Sequence, residues 1–273
     1  MVRATMRDER SLDALLDVSP LREGAWRFEV PDGWQQGRGA FGGMVLGAML
    51  RAVQRAEPDA RRRVRSVTGE IPAPVLVGPA EVEVVALRRG AAVSTWRATM
   101  SQRGEAVAQL VAVLGAARAV DARWSALSPP PDARWEDAAP MPFVEGLVPT
   151  FAQAFEYRAT GPLPFAGGDE ARVEGWVRPR APCAVRDAAW VAALADAYWP
   201  ALYSRLGAPR PTATVAFTLQ VALDPREVTG DAPLRYRAAA PVLDEGYCVE
   251  FRELWTPDGR LVALNQQTFV VIR

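Results

Sequence analysis

The 273-residue sequence predicts an α+β chain made of two tandem copies of one unit, each a long apolar helix followed by antiparallel strands. Three observations predict it. The same order of strand-like runs and turns occurs in both halves, one helical stretch precedes each strand set, and a proline-rich segment separates the two.

The first helical stretch is GGMVLGAMLRAVQRAEP, residues 42–58, which is apolar on most of its sides. Such a helix is expected to be wrapped by other elements rather than laid on a surface. RSVTGEIPAPVLVGP follows as a strand running into a turn, and then come alternating runs punctuated by Arg89-Gly90 and Arg103-Gly104. The stretch SALSPPPDARWEDAAPMP, residues 125–142, reads as a linker. The second helical stretch, DAAWVAALADAYWPAL at residues 187–202, places Trp190, Leu194 and Tyr198 on one face. PTATVAFTLQVALDP then matches the first half's strand: setting Pro79 on Pro225 also sets Thr68 on Thr214. Turns at Glu245-Gly246 and Asp258-Gly259 divide the remaining runs, and the closing strands align as GEAVA on GRLVA. A curved antiparallel sheet around one long helix is the hot-dog arrangement, so the expected fold is a double hot-dog. Its units would be residues 1–124 and 143–273, joined by the linker.

Composition narrows the chemistry. Lys and Arg number 32 and so do Asp and Glu, which gives no general attraction to nucleic acid or an anionic membrane. No apolar run is long enough to span a bilayer, and the first residues lack an apolar leader core. Two cysteines, Cys183 and Cys248, make no disulfide framework, so a cytoplasmic setting is expected. There is no histidine at all. That excludes Ser-His-Asp and Cys-His catalysis and mixed Cys/His zinc sites, leaving Asp, Glu or a rarer group as any general base.

Several segments carry a resemblance. GRGAFGGMVLGAML leads into the first helix, LADAYW lies in the second, TATV opens a strand, and LVALNQQ sits near the C-terminus. Together they resemble the acyl-CoA thioesterase II family of double hot-dog proteins, over most of the chain from about Trp26 onward. The resemblance implies hydrolysis of acyl-CoA, or of an acyl-carrier thioester, with an Asp, a Thr or Ser, and a Gln holding and activating water. It implies neither metal nor cofactor. Carried over, those groups fall on Asp196, Thr214 and Gln267. The run after Thr214, Val215-Ala216-Phe217, is more apolar than the family pattern, and Gln266 offers a competing register.

The residues also bear reading by themselves. Asp196 interrupts an apolar helix with no charged helical neighbour, where desolvation would raise its pKa toward general-base range. Side chains alternate along a strand, so Gln266 and Gln267 face opposite ways and only one can serve a given site. Thr214 alone would pass for a strand former. In the first half, Ala112 stands where Gln267 stands in the second, each eight residues past a turn glycine, and Arg51 lies near the position of Asp196. One working site per chain is therefore expected. Gly42 and Gly43 open the first helix, where backbone N–H groups can receive a carbonyl oxygen as charge develops, or where close packing asks for glycine. The arginine run at residues 60–65 reads as a solvated turn or a contact for coenzyme A phosphates. Two other functions share the fold: a non-catalytic acyl-thioester-binding or assembly protein, and an acyl-thioester hydratase or dehydratase, which the lack of histidine disfavours. Hot-dog units usually pair, and this chain supplies one pair internally. Further homo-oligomerisation is left open.

Overall fold

Alternation of buried and exposed residues builds the sheet. In β7 (Val93–Gln102) Ser94, Trp96, Ala98 and Met100 are buried while the residues between them are exposed or half-exposed. The computed structural model describes residues 10–122, 124–131 and 134–272, and the expected outer bounds of the units, Met1 and Arg273, lie outside these.

The first half contains α1 (Leu12–Leu15), β1 (Ser19–Arg22), β2 (Ala25–Val30), a small ribbon of β3 (Gln35–Gln36) and β4 (Gly39–Ala40), and α2 (Gly42–Ala56). It continues with β5 (Arg63–Glu70), β6 (Gly78–Arg89), β7 and β8 (Glu105–Gly115). The second half contains β9 (Phe155–Ala159), β10 (Arg172–Pro179), α3 (Ala188–Ala197), β11 (Thr212–Val221), β12 (Leu234–Asp244), β13 (Tyr247–Trp255) and β14 (Leu261–Val271). Two-residue turns close the β7–β8 and β12–β13 hairpins. Arg103-Gly104 and Glu245-Gly246 take positive φ at both positions, the conformation that matches strand twist.

Twelve strands form one antiparallel sheet in the order β1-β2-β6-β7-β8-β5-β11-β14-β13-β12-β10-β9. Each half runs through the same order in mirror sequence from its outer edge to the central β5–β11 seam, so the chain is a double hot-dog. The seam corrects one detail of the repeat. Val67 pairs with Ala112 just as Phe217 pairs with Gln267, and Thr68 lies opposite Thr218 where the halves meet. The counterpart of Thr68 is thus Thr218, four residues beyond Thr214. Both central strands carry an extra residue at the matching place, between Val64 and Ser66 in β5 and between Thr214 and Ala216 in β11, so the counterpart of Thr214 is Val64.

The helices lie inside. Every residue of α3 is buried, and α2 is buried from Gly42 to Val53. As α2 runs from Gly43 to Gly47 to Arg51, its contacts on α3 run back from Asp196 and Ala193 to Ala189 to Asp187, so the two helices pack antiparallel. Both end before the expected helical stretches do. Pro58 and Pro200 disfavour helical backbone just ahead of them, and Tyr198 leaves α3 in an extended conformation. No helix among the described residues is long and apolar enough to cross a membrane.

Candidate active site

Asp196 occupies the last turn of α3, facing the N-terminus of α2. Asp196 is 7% exposed. Oδ1 accepts from Gln267 Nε2 at 2.8 Å and from Arg252 Nη1 at 3.3 Å. Gln267 projects inward from β14 and is 1% exposed. Its Oε1 accepts from the Thr214 hydroxyl of β11 at 3.0 Å, while its Nε2 also donates to Asn265 Oδ1 at 3.0 Å. Thr214, Gln267 and Asp196 therefore form one connected hydrogen-bonded chain drawn from a helix and two adjacent strands. Gln266, on the opposite face of β14, is exposed.

This also resolves why a strand with apolar surroundings carries Asn265, Gln266 and Gln267 in succession. The two inward amides are bonded, Asn265 Nδ2 donating to the Thr218 carbonyl at 2.6 Å, and the third faces out. Left unpaired inside, each would cost about 1–3 kcal/mol.

Burial pushes the Asp196 carboxyl above the usual aspartate range, with the Arg252 charge and the Gln267 hydrogen bond opposing it. A carboxylate so placed is a stronger base than one in water, yet its neighbours favour the ionised form needed to take a proton.

Gly42 and Gly43 permit this close approach. A Cβ on Gly42 would stand 2.9 Å from Asp196 Oδ2, and one on Gly43 would stand 2.9 Å from both Ala193 Cα and Asp196 Cβ. The packing reason for glycine is met here. An aromatic wall surrounds the same end: Phe41 stacks on Phe151 at 4.1 Å, and Tyr157 meets Tyr198 and Trp199 edge-on or tilted.

Two charged residues at the site were not read from the sequence. Arg252 and Glu250 of β13 both point inward, with Arg252 Nε bonded to Glu250 Oε1 at 2.7 Å. Their signal was present but inverted, because the apolar Tyr247, Val249 and Phe251 of the same strand alternate onto the outer face.

The opposite end of the helix pair is built differently. There Arg51 pairs with Asp187 at 2.8 Å and Ala112 stands at the position matching Gln267. The arginine run is tied down locally: Arg62 lies within 4 Å of Glu57 and Asp59, Arg63 pairs with Asp224, and Arg65 donates to the Gly115 carbonyl.

Two family profiles match this chain. One, described as the acyl-CoA thioesterase N-terminal domain, covers residues 30–115; the other, the acyl-CoA thioesterase C-terminal domain, covers residues 135–271. The chain belongs to the acyl-CoA thioesterase family. Solved structures share its architecture across nearly the whole length. A hot-dog protein of unknown function from Alicyclobacillus acidocaldarius is 27% identical, with a TM-score of 0.87 over 96% of this chain and 98% of that one. Acyl-CoA thioesterase II TesB2 from Mycobacterium marinum is 19% identical, with a TM-score of 0.77 over 96% and 98%. A TesB protein of Mycobacterium avium subspecies paratuberculosis is 18% identical, with a TM-score of 0.80 over the same shares. No curated protein matches the chain. The Asp196 cluster joins all three residue types that the resemblance names in one hydrogen-bonded chain.

Proposed function

We propose that the chain hydrolyses acyl-CoA to a free carboxylic acid and coenzyme A, with Asp196 as general base. The observation that supports this reading is the buried hydrogen-bonded line from Thr214 through Gln267 to Asp196. Asp196 takes a proton from water as the water oxygen attacks the thioester carbonyl carbon. Both Gln267 N–H groups are engaged by Asp196 and Asn265, so the Thr214 oxygen accepts the water's second hydrogen and Gln267 holds Thr214 and Asp196 in place around it. The Thr214 hydroxyl, donating to Gln267 Oε1, fixes the amide so that its Nε2 faces Asp196, and the hydroxyl oxygen remains an acceptor. The carbonyl oxygen gains negative charge and is received by the backbone N–H groups at the N-terminus of α2, which Gly42 and Gly43 open. Collapse of the tetrahedral intermediate breaks the carbon–sulfur bond, and the proton held by Asp196 passes to the departing thiolate. No residue in this scheme is a histidine and none requires a cofactor.

Thiol release, followed with a disulfide reagent over acyl-CoAs from acetyl to palmitoyl, tests the reading. The protein's own thiols interfere little, since both cysteines are buried and the Cys248 thiol is pushed up to about 11 by burial. Asp196→Asn, folded by circular dichroism, is expected to lose at least ~100-fold in turnover. Release that is unchanged in the variant would remove Asp196 from the chemistry. Release from no substrate would set hydrolysis aside in favour of acyl-thioester binding.

A further inference from the structure

Arg252 and Glu250 are not explained by the Asp–Thr–Gln chain. Both are charged, both lie on the inward face of β13, and they are 2% and 0% exposed. Enclosed charges are tolerated only with close partners and satisfied hydrogen bonds. Glu250 has these: Oε1 receives Arg252 Nε at 2.7 Å, and Oε2 receives the Ala201 backbone N–H at 2.7 Å, where the chain leaves α3. Thus braced, Arg252 turns Nη1 to the end of α3. It donates to the Ala195 carbonyl at 2.9 Å and reaches Asp196 Oδ1 at 3.3 Å.

We propose that Arg252 is the positioning residue of this site: braced by Glu250, its guanidinium fixes Asp196 Oδ1 and the last turn of α3, leaving Oδ2 toward Gly42 and the reacting water. The proposal rests on the reading of Asp196 as base. One observation divides the labour between the two oxygens, and two further points support the hold on the helix end. Arg252 and Gln267 both converge on Oδ1, whereas Oδ2 is the oxygen nearest Gly42. The same Nη1 also occupies a carbonyl of the helix end, so the carboxylate and its helix are held as one body. Finally, a planar guanidinium can meet Glu250, Ala195 and Asp196 at once, which an ammonium cannot do with the same geometry.

The electrostatic role follows from what surrounds Asp196. From β13 it faces Arg252 and, further off, Glu250; from β12 Tyr236; from β9 Tyr157; from β14 the neutral Gln267; and from α2 the Gly43 amide. The tyrosines are buried and held protonated, so Arg252 is the one cation among these groups. Burial of Asp196 raises its pKa and Arg252 opposes that rise. Arg252 therefore favours the ionised form of the base while fixing its direction.

The test reads Asp196 directly as well as through turnover. Protein labelled with [13C]aspartate is titrated by carboxyl-detected NMR, the Asp196 resonance being the one missing from Asp196→Asn, and kcat and KM are measured against pH. Arg252→Gln alone leaves two buried carboxylates without their cation. The double variant Arg252→Gln/Glu250→Gln removes one charge of each sign, keeps the net charge of the cluster, and is the variant expected to fold. In it the Asp196 midpoint should rise by about one unit or more. The acidic limb of kcat should move up with it, kcat at neutral pH should fall at least ~30-fold, and KM should stay within ~3-fold. Arg252→Lys should return the midpoint most of the way, with kcat between the two. An unmoved midpoint in the folded double variant overturns the proposal, as does a loss of rate carried by KM with the acidic limb in place. If the wild type hydrolyses no acyl-CoA, the reading of Asp196 as base fails separately, while the midpoint still decides whether Arg252 holds that carboxylate.

Discussion

At the scale of the residue, Thr214 has two readings, a strand former and a hydroxyl that serves the site. Threonine opens many strands for its β-branched shape alone, but here its hydroxyl donates to Gln267 Oε1 at 3.0 Å. The two roles separate by substitution. Thr214→Val keeps shape and strand propensity but cannot donate, and is expected to lower kcat about 10–100-fold, the range of a lost positioning contact to reacting water. Thr214→Ser keeps the hydroxyl and should stay within ~5-fold of wild type. Equal activity in the two variants would return Thr214 to a purely structural part. Asp196 and Gln267 were legible because each is a polar residue where an apolar pattern leaves no room for one. Arg252 and Glu250 were not, because β13 turns its aromatic residues Tyr247 and Phe251 to solvent and its charges inward. Alternation gives two faces, and in that strand the apolar face is the outer one. What marks the inner face is the partner set on α3 and its following turn, which only the folded chain brings within reach.

At the scale of the element, the helix pair depends on small residues. Gly43 and Gly47 of α2 lie against Ala193 and Ala189 of α3, and a Cβ at Gly43 would also press on Asp196 Cβ. Gly43→Ala is accordingly expected to destabilise the fold by about 1–3 kcal/mol, the range for overpacking a close contact, against the gain in helix propensity an alanine ordinarily brings. Denaturant unfolding measures it, and a variant as stable as wild type would show that the helices can separate without cost. A second consequence of the crowding is that Gly43→Ala should lower kcat more than Gly47→Ala, which lies further from Asp196. The elements themselves were largely visible in the sequence: the helices begin at Gly42 and just after Asp187, within the expected stretches, and the turns at Arg103-Gly104 and Glu245-Gly246 close real hairpins. The helix C-terminal ends were less so, since α3 stops at Ala197 while the apolar pattern continues through Leu202. Apolar spacing persists there because the chain stays buried after the helix ends.

At the scale of the molecule, the two halves share a strand order but not the Asp–Thr–Gln set. Ala112 replaces Gln267, and the end that mirrors Asp196 holds the Arg51–Asp187 ion pair. A non-hydrolysable thioether analogue of acyl-CoA is therefore expected to bind with a stoichiometry of one per chain, as calorimetry would report; a value of two would mean the Arg51 end also accepts ligand. The seam between β5 and β11 has a meaning that reaches past this chain's present chemistry. Where two identical chains meet across such a seam, any substitution appears twice, so an improvement at one end is imposed on the other, including wherever it disrupts packing. Joining both halves in one polypeptide breaks that coupling. One end is then free to accumulate the buried charges and amides that chemistry demands, while its twin keeps the ion pair and small apolar residues that hold a fold together.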